Sequence, residues 1–422
     1  MKMTLQRAKG TRDFLPEQKI VRQYIIDTLR EVFELYGYSP LETPVLERYE
    51  TLSSKYAGGS EILKEVFKLK DQGNRELALR YDLTVPFSRV IAMNPQLKMP
   101  FKRYQTGPVF RDGPISTGRV REFWQCDVDI VGIKKMTADA EILSLADMAY
   151  KRLGLKVKIK INNRKILNSI LKEADITENQ EDIILIIDKL YKIGVKGVKE
   201  ELKSKKLTDK QINKIISLIS IKGSNSKKLK ELCKLENKEG LEEIKELLSY
   251  LKEFNTKVEF DITLARGLSY YTGTIFEVVL NNDLSLSLGG GGRYDDMISK
   301  FMDSKQEYPA VGISFGLDRI YNILVNKNIK KTNTRLFIIP IQTLKESLNI
   351  SQKLRENNIN TDIDLNNKGI SKNLDYANKL NIPYVLFIGE NELKKKKLKL
   401  KDMNSGKEKF LTIKELCKFL NG

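Results

Sequence analysis

The sequence predicts an α+β fold: an antiparallel sheet core flanked by helices, interrupted by a helical insertion and followed by a smaller α/β domain. Strand-like segments fill the first 164 residues and return after residue 255, whereas the stretch between them is rich in Leu, Ile, Lys and Glu at helical spacing. From residue 334, strand and helix patterns alternate. The chain has 422 residues, enough for two or three domains. We divide it into core (1–164), helical insertion (165–254), second core segment (255–325), linker (326–333) and α/β domain (334–422).

The first core segment opens with helical periodicity over residues 17–37, which ends at Gly37. Two prolines interrupt the extended stretch 39–46, so we expect an edge strand there. Residues 65–69 and 76–80 read as a hairpin around a turn. The remaining elements are strands over 101–105, 107–111 and 121–131, which extend the sheet, and a helix over 137–153.

In the insertion, Thr177 with Gln180 and Thr208 with Gln211 have the spacing of capping boxes, so each is expected to open a helix. Strand character returns over 257–262, 274–280 and 284–288. The C-terminal domain is predicted to contain strands over 335–341, 361–365, 384–388, 398–402 and 410–412, with helices over 343–357, 371–380 and 413–420.

The net charge is +19, which favours a polyanionic partner such as nucleic acid, although a Lys-rich genome composition would also produce it. The chain contains no histidine, which excludes histidine-based acid–base catalysis, Ser-His-Asp triads and histidine-ligated metals. Its three cysteines are scattered and suggest neither a disulfide framework nor a metal cluster. No secretory signal or membrane-spanning run is evident, so we expect a cytoplasmic protein.

The segment 266–277 is the most informative one, because it combines an arginine with serine, tyrosine and threonine hydroxyls. A glycine run at 289–292 follows, and we interpret it as a corner that ends in a second arginine, Arg293. Together they predict a recognition surface for a small polar, anionic substrate.

Two further segments carry cations. Strand 107–111 ends in Arg111, and after a loop Arg119, Arg121 and Phe123 begin the next strand. Arginine forks bind phosphate and a phenyl ring can stack on a purine, although a solvated hairpin would have the same composition. In segment 310–319, a glycine-spaced strand runs into a helix with Arg319 in its first turn, which suits a phosphate.

These segments resemble the three motifs of class II aminoacyl-tRNA synthetases. The stretch 38–44 is similar to motif 1, which builds the dimer interface of that family. In the motif 2 resemblance, Arg111 holds the ATP α-phosphate and the amino-acid carboxylate, and Phe123 stacks on adenine. In the motif 3 resemblance, Arg319 holds the γ-phosphate. Asp112 and Gly113 stand where the family has a glutamate that contacts adenine, and Asp318 replaces another glutamate.

Within that class, the chain resembles histidyl-tRNA synthetases over nearly its whole length. Segments 9–16, 79–86 and 266–277 carry this resemblance, and the Gln125–Asp129 segment looks like the archaeal and eukaryotic branch. Ser269 stands where the family has an aspartate. The resemblance implies a histidine-binding set of Asp82, Thr84, Arg111, Gln125, Asp129, Arg266, Tyr270 and Tyr271, with Arg266 and Arg111 as the catalytic residues.

The resemblance implies a histidine–tRNA ligase that uses ATP with Mg²⁺, charges tRNA(His) with L-histidine, acts as a homodimer and reads the anticodon with residues 334–422. Two other classes share such a core: a regulatory subunit of histidine biosynthesis, and a sensor of uncharged tRNA. The first typically lacks the Arg266 segment and the anticodon domain, and both are present here. Lysines 394–401 are either a solvated strand edge or a contact for the tRNA backbone.

Overall fold

The computed structural model describes residues 5–54, 60–116, 119–266, 270–327, 329 and 332–421. Thr117 and Gly118 of the motif 2 loop, Gly267–Ser269 of the arginine segment and part of the predicted linker lie outside the described residues. Contacts divide the chain into two compact units. One contains the described residues up to Arg12 with Ile25–Asn322, and the other Asp13–Tyr24 with Ile323 onward. The five-part domain division stays a prediction.

The main sheet of the first unit has eight strands in the described part of the chain, in the order β1-β5-β6-β11-β10-β9-β7-β8. The β1–β5 and β7–β8 pairs are parallel and the others antiparallel, which confirms the predicted sheet and places β1 at its edge. The strands are β1 (Ser39–Pro40), β5 (Phe101–Phe110), β6 (Glu122–Val131), β7 (Val157–Asn163), β8 (Val258–Phe260), β9 (Thr274–Leu280), β10 (Asp283–Arg293) and β11 (Ala310–Gly316).

The predicted hairpin at 65–80 is confirmed, but it does not extend the main sheet. It forms a separate three-stranded sheet, counted over the described residues, in the order β2-β4-β3. These strands are β2 (Leu46–Arg48), β3 (Lys68–Lys70) and β4 (Glu76–Leu79). The glycine run is likewise not a corner, because Gly289–Gly292 lie inside β10 with partners on both sides.

Helices cover the sheet and form the insertion. Helix α5 (Thr137–Arg152) packs on β11 and on α11 (Glu239–Glu253), and its Ile142, Leu145 and Ala149 are fully buried. Burial of a side chain the size of Ile142 or Leu145 contributes about 1.5–3 kcal/mol. The described helices of the two core segments are α1 (Pro16–Leu35), α2 (Tyr49–Leu52), α3 (Ser60–Leu63), α4 (Thr84–Met93), α5 (Thr137–Arg152), α12 (Met297–Phe301) and α13 (Leu317–Leu324).

The insertion is helical, as predicted. It contains α6 (Arg164–Glu173), α7 (Gln180–Asp188), α8 (Leu190–Ser204), α9 (Asp209–Ile219), α10 (Asn225–Leu232) and α11 (Glu239–Glu253). The capping box of Thr208 and Gln211 is confirmed at the start of α9. The one expected at Thr177 is wrong: α7 begins only at Gln180, after Asn179 in a left-handed conformation, and the Gln180 side chain donates to the Ile176 carbonyl instead.

The second unit contains a five-stranded sheet within the described residues, in the order β13-β12-β14-β15-β16, and the predicted alternation of strands and helices is confirmed. Its elements are β12 (Leu336–Pro340), α14 (Leu344–Glu356), β13 (Thr361–Ile363), α15 (Ile370–Lys379), β14 (Tyr384–Ile388), α16 (Glu390–Lys395), β15 (Leu398–Asp402), β16 (Glu408–Leu411) and α17 (Ile413–Asn421).

The lysine-rich stretch 394–401 was expected as one possibility to be a strand edge, and this is wrong. It ends the unpredicted helix α16 and then enters β15, which pairs with β14 on one side and β16 on the other. Within β15, Leu398 and Leu400 are buried while Lys399 and Lys401 are partly exposed. No helix in the described ranges is long and apolar enough to cross a membrane.

Candidate active site

A cavity of about 680 Å³ lies in the first unit, against β6, β10 and β11. It collects nine of the ten site residues expected from the sequence, which come from segments far apart in the chain. These are Asp82, Thr84, Arg111, Gln125, Asp129, Arg266, Tyr270, Tyr271 and Arg319. Phe123 is not among the lining residues; its ring lies under the Arg111 guanidinium, 5.1 Å from ring centroid to carbon.

Glycines make room for the cavity side chains. A Cβ on Gly290 would lie 1.8 Å from Arg266 Nη1, and one on Gly312 would lie 1.9 Å from Asp129 Oδ1. A Cβ on Gly292 would meet the Tyr271 ring at 2.8 Å. Strand glycines typically mark such close approaches. The glycine run therefore leaves space for the side chains of the cavity and does not form a turn.

Because strand side chains alternate between faces, Gln125, Asp127 and Asp129 of β6 all face the cavity. The register pairs Asp127 with Ser314 of β11. Gln125 Nε2 donates to Ser314 Oγ at 2.8 Å, so the two strands share a polar cluster.

Asp129 is held in a buried network. Its Oδ2 forms an ion pair with Arg103 Nη2 at 2.7 Å, and its Oδ1 accepts a hydrogen bond from the Tyr294 hydroxyl at 2.6 Å. Arg103 is fully buried and also lies 4.3 Å from the Phe87 ring centroid. Burial raises the pKa of Asp129, against the charge of Arg103.

Asp82 and Asp127 are also buried, and each has one carboxylate oxygen with no hydrogen-bond partner in the described part of the molecule. Burial raises the pKa of Asp82 to about 6, against a hydrogen bond from the Val85 amide and the charge of Arg111. Burial raises the pKa of Asp127 to about 7, opposed by Arg103 and reinforced by Asp129. Among the described residues, Gln125 Oε1 and Asp129 Oδ2 also lack a hydrogen-bond partner, although Asp129 Oδ2 lies 2.7 Å from Arg103 Nη2.

Cations gather on other parts of the cavity wall. Arg111 is anchored by a hydrogen bond to the Tyr81 carbonyl at 3.3 Å, and burial lowers its pKa. Arg319 donates to the Ser287 carbonyl at 2.6 Å. Arg266 lies 3.8 Å from Glu277; burial lowers its pKa, but nearby Tyr271 and Glu277 outweigh this and raise it.

Arg293, expected as a second recognition arginine, does not line this cavity. It lies one strand position beyond Gly292, on the other face, where it is 2% exposed. Its Nε and Nη2 donate to Asp139 at 2.9 and 2.6 Å, and Thr274 also bonds Asp139. This arginine therefore joins β10 to α5.

The N-terminal signature contacts the motif 2 hairpin and motif 3. Arg121 donates its amide to the Gly10 carbonyl at 2.9 Å, and a Cβ on Gly10 would collide with the Arg121 side chain. Asp318 accepts from Arg12 at 2.8 Å and from the Trp124 amide at 2.9 Å.

Glu65 lies beside Gly113, one of the two residues that stand in place of the motif 2 glutamate. It forms an ion pair with Arg119 and lines the cavity, and a Cβ on Gly113 would lie 2.8 Å from its carboxyl carbon.

Sequence reasoning missed several cavity residues. Asp127 could have been found, since it lies midway between Gln125 and Asp129 on the same strand face. Arg103 and Tyr294 act through Asp129, and no local pattern identifies them. The other unpredicted residues include Glu65, Lys192 and Ser314. The cavity thus presents buried acceptors to positively charged or N–H groups, and arginines to anionic groups.

Residues 10–320 match the family model described as Histidyl-tRNA synthetase, and residues 335–422 match the model of an anticodon binding domain. The chain is 44% identical to Histidine–tRNA ligase 1 of Bacillus cereus, over 99% of this chain and 100% of that ligase. The crystal structure of histidyl-tRNA synthetase from Nostoc sp. PCC 7120 aligns with a TM-score of 0.88 at 30% identity, covering 100% of this chain and 99% of that one.

A structure described as an ATP phosphoribosyltransferase regulatory subunit/histidyl-tRNA synthetase from Bacillus halodurans C aligns with a TM-score of 0.77 at 26% identity, over 92% of this chain and 99% of that one. These relatives are bacterial and give no support to the resemblance of the Gln125–Asp129 segment to the archaeal and eukaryotic branch. The family match over residues 10–320 agrees with the full-length identity. On these grounds the chain belongs to the histidyl-tRNA synthetase family, whose class II fold it shares.

Proposed function

We propose that this chain is a histidine–tRNA ligase. It activates L-histidine with ATP to histidyl-adenylate and pyrophosphate, and then transfers the histidyl group to the 3′ end of tRNA(His). The observation that carries this proposal is the polarised cavity: buried acceptors on Asp82, Gln125 and Asp127 that have no hydrogen-bond partner among the described residues lie in the same cavity as four arginines. Such a cavity suits an amino acid that has a nitrogen-containing side chain. The buried acceptors can bind its N–H groups, and the arginines can bind its carboxylate together with a phosphate.

The amino acid is held by its three polar groups. Asp82 and Thr84 bind the ammonium group, and Arg111 and Arg266 bind the carboxylate. The imidazole end lies among Gln125, Asp129, Tyr270 and Tyr271. The tyrosine rings support this role, since Tyr270 and Tyr271 pack edge to face at 4.8 Å and make a preformed wall.

ATP binds with its α-phosphate at Arg111 and Arg266, its adenine against Phe123 and its γ-phosphate at Arg319. The histidine carboxylate attacks the α-phosphorus in line and pyrophosphate leaves. The attacking group is already ionised, so the step requires no protein base, which agrees with a chain that lacks histidine. Arginines fixed around the phosphorus stabilise the charge that develops there.

Mg²⁺ is expected to accompany ATP and would neutralise phosphate charge. This ion usually keeps several waters and takes one or two carboxylates from the protein. Glu277 fits that need, because it lies 3.8 Å from Arg266 and its charge partly offsets the burial that lowers the pKa of Arg319. No cluster of three acidic or thiol ligands occurs in the described ranges, so a dedicated protein cage is not part of this proposal.

In the second step the ribose of the tRNA 3′ end attacks the adenylate. We assign anticodon recognition to residues 334–422, the catalytic core to 1–164 and 255–325, the helical insertion to 165–254 and the linker to 326–333. Lysines 394–401 contribute contacts to the tRNA backbone. The enzyme is a cytoplasmic homodimer whose interface includes the motif 1 segment at 38–44.

The experiment is amino-acid-dependent ATP–pyrophosphate exchange with each of the twenty amino acids. We expect exchange with histidine alone. Arg266→Ala should lower the turnover about 100- to 1000-fold, the usual loss for one group that stabilises transition-state charge. Arg75→Ala is the matched control, since Arg75 is an exposed arginine paired with Asp71 in a hairpin turn.

The similarity to the Bacillus halodurans protein keeps a regulatory subunit as the second candidate. Histidine binding without exchange for any amino acid would favour it and would overturn the ligase proposal.

A further inference from the structure

Asn162 is a buried asparagine whose side chain is bonded to the segment that leads to Arg266. It lies in β7 and is fully buried. Its Nδ2 donates to the Ile262 carbonyl at 3.0 Å and to the Leu264 carbonyl at 2.8 Å. One amide group therefore uses both of its N–H bonds on a stretch of chain that ends two residues before Arg266.

Asn162 lies on the same face of the main sheet as the cavity. Residues directly opposite each other on neighbouring strands have their side chains on one face. Asn162 is paired with Ile275 of β9, and Ile275 is paired with Gly292 of β10, which lines the cavity. Because the Asn162 amide meets the carbonyls of residues 262 and 264, this segment passes over the cavity face. It brings Arg266 to the position over Gly290, where an added Cβ would lie 1.8 Å from Arg266 Nη1.

A second set of contacts fixes the turn from which this segment starts. Asp261 forms a buried ion pair at 3.1 Å with Lys160, which is two residues before Asn162 on the same strand face. The hydroxyl and the amide of Thr263 both donate to Asp261 Oδ1, at 2.6 and 3.1 Å, and the Leu264 amide donates to the Asp261 carbonyl at 3.1 Å. The turn is therefore attached to β7 at two points, by the ion pair at its start and by Asn162 at its end.

Arg266 depends on such support because of its backbone conformation. Its φ of 56° is left-handed, and a residue with a side chain keeps this conformation only where its surroundings impose it. Without Asn162, two buried carbonyls lose their donors, and the segment shifts to find others. The backbone of Arg266 is then free to leave the left-handed conformation, and its guanidinium leaves the position over Gly290.

We propose that Asn162 is a positioning residue for the activation step, and that it acts through Arg266 by holding the segment that carries this arginine. The inference rests on the proposed function, in which Arg266 stabilises the charge that develops at the α-phosphorus. Asn162 is not one of the described residues that line the cavity, so a substitution there removes no substrate contact. Its whole effect on the rate should therefore depend on the presence of Arg266.

The test is a double-mutant cycle on histidine-dependent ATP–pyrophosphate exchange, with the turnover expressed per folded molecule. Asn162→Ala should lower the turnover about tenfold, the effect of leaving a buried carbonyl without its donor. In the Arg266→Ala background the same substitution should lower the turnover by less than about twofold, because no arginine remains to be positioned. A residue that only stabilises the fold would give no such difference between the two backgrounds.

Asn225→Ala is the matched control. Asn225 also makes two hydrogen bonds to the backbone of this part of the chain, but it makes them to β8, at Val258 and Phe260. The turnover per folded molecule should therefore stay at the wild-type value. If Asn162→Ala does not fold, Thr263→Val takes its place in the cycle. It removes the hydroxyl bond to Asp261 and should lower the turnover several-fold only where Arg266 is present.

Equal losses in the two backgrounds, or no loss in either, would overturn the inference, while histidine-dependent exchange by the wild-type protein would leave the proposed function intact. Wild-type turnover in Arg266→Ala would also overturn the inference, since there would be no role for Asn162 to support. Absence of exchange in the wild-type protein would overturn both the inference and the proposed function.

Discussion

The backbone amide of Arg266 donates a hydrogen bond to Asp188 Oδ1 at 2.9 Å, across 78 positions of sequence. Asp188 is the last residue of α7 in the helical insertion, and Arg266 is an arginine of the cavity. Arg266 has a φ of 56°, a left-handed conformation that costs a residue with a side chain about 1–2 kcal/mol. The insertion therefore holds a strained backbone position that aims a functional side chain.

Asp188→Ala should lower the turnover of histidine-dependent exchange about tenfold, the value of one hydrogen bond to a charged group. The KM for histidine should change less, because Arg266 contributes most where charge develops on the phosphorus. Asp188→Asn keeps an acceptor and should restore part of the rate. Steady-state exchange kinetics test this.

Asp182→Asn is the matched control, because Asp182 lies on the same helix but is half-exposed and paired with Lys205. Equal kinetics for Asp188→Ala and wild type would mean that the insertion does not position Arg266.

Gly290→Ala should lower activity strongly. The added Cβ would lie 1.8 Å from Arg266 Nη1 and 2.9 Å from the Phe276 carbonyl oxygen, so the guanidinium must move away and the β9–β10 pairing must shift slightly. We expect a loss of about 100-fold or more in exchange, as for removal of the group itself. Gly369→Ala is the control, since nothing lies within 4 Å of its added Cβ. A large drop in melting temperature with normal specific activity would contradict this.

Most elements of the fold could be predicted because their hydrophobic periods are regular, from the paired strands β5 and β6 to the helices of the insertion. Which sheet each strand joins could not be predicted. Whether strands at 65–80 join the main sheet depends on which backbone edges meet, and local sequence does not encode this. Helix α16 is six residues long, too short to display a helical period.

Site residues could be predicted where they belong to sequence motifs. They could not be predicted where a residue only positions another residue of the site. Arg111 directly follows β5 and Arg319 lies in the first turn of α13, and the sequence pattern marks both positions. Asp188 lies in another module, and only the folded chain brings it to Arg266. From the sequence, the glycines at 289–292 indicate a turn, because a run of glycines is rare inside a strand. Such a run occurs in a strand where other groups occupy the space that its side chains would fill.

Arg293 should prove structural. With Asp139 it forms a buried ion pair, and removing one partner of such a pair costs about 3–5 kcal/mol because the other charge stays buried. Arg293→Met should therefore lower the urea midpoint of unfolding clearly. Lys300→Met is the control, because its pairing with Asp296 is exposed and is worth under about 1 kcal/mol. Weak substrate binding with an unchanged midpoint would support a recognition role for Arg293 instead.

The pH dependence of substrate binding should follow the ionisation of the Asp82 carboxyl group. Its pKa is raised to about 6, chiefly by burial, while the Val85 amide, Arg111 and Arg103 oppose the rise and Asp129 adds to it. An ammonium group needs the ionised carboxylate, so affinity should be constant above the pKa. It should fall about tenfold for each pH unit below 6, since one proton is taken up as the ligand leaves.

Two other titrations overlap this one, and both can be removed. The imidazole of histidine titrates near pH 6.5, and Asp127 has a pKa of about 7. Calorimetry of 3-(thiazol-4-yl)alanine with the Asp127→Asn variant eliminates both, because the thiazole does not titrate in this range and the amide does not ionise. The remaining loss of affinity between pH 7.5 and 5 then belongs to Asp82 if an added Asp82→Asn substitution removes it, since burial also raises the pKa of Asp129. A flat profile would mean that the ammonium group is held elsewhere.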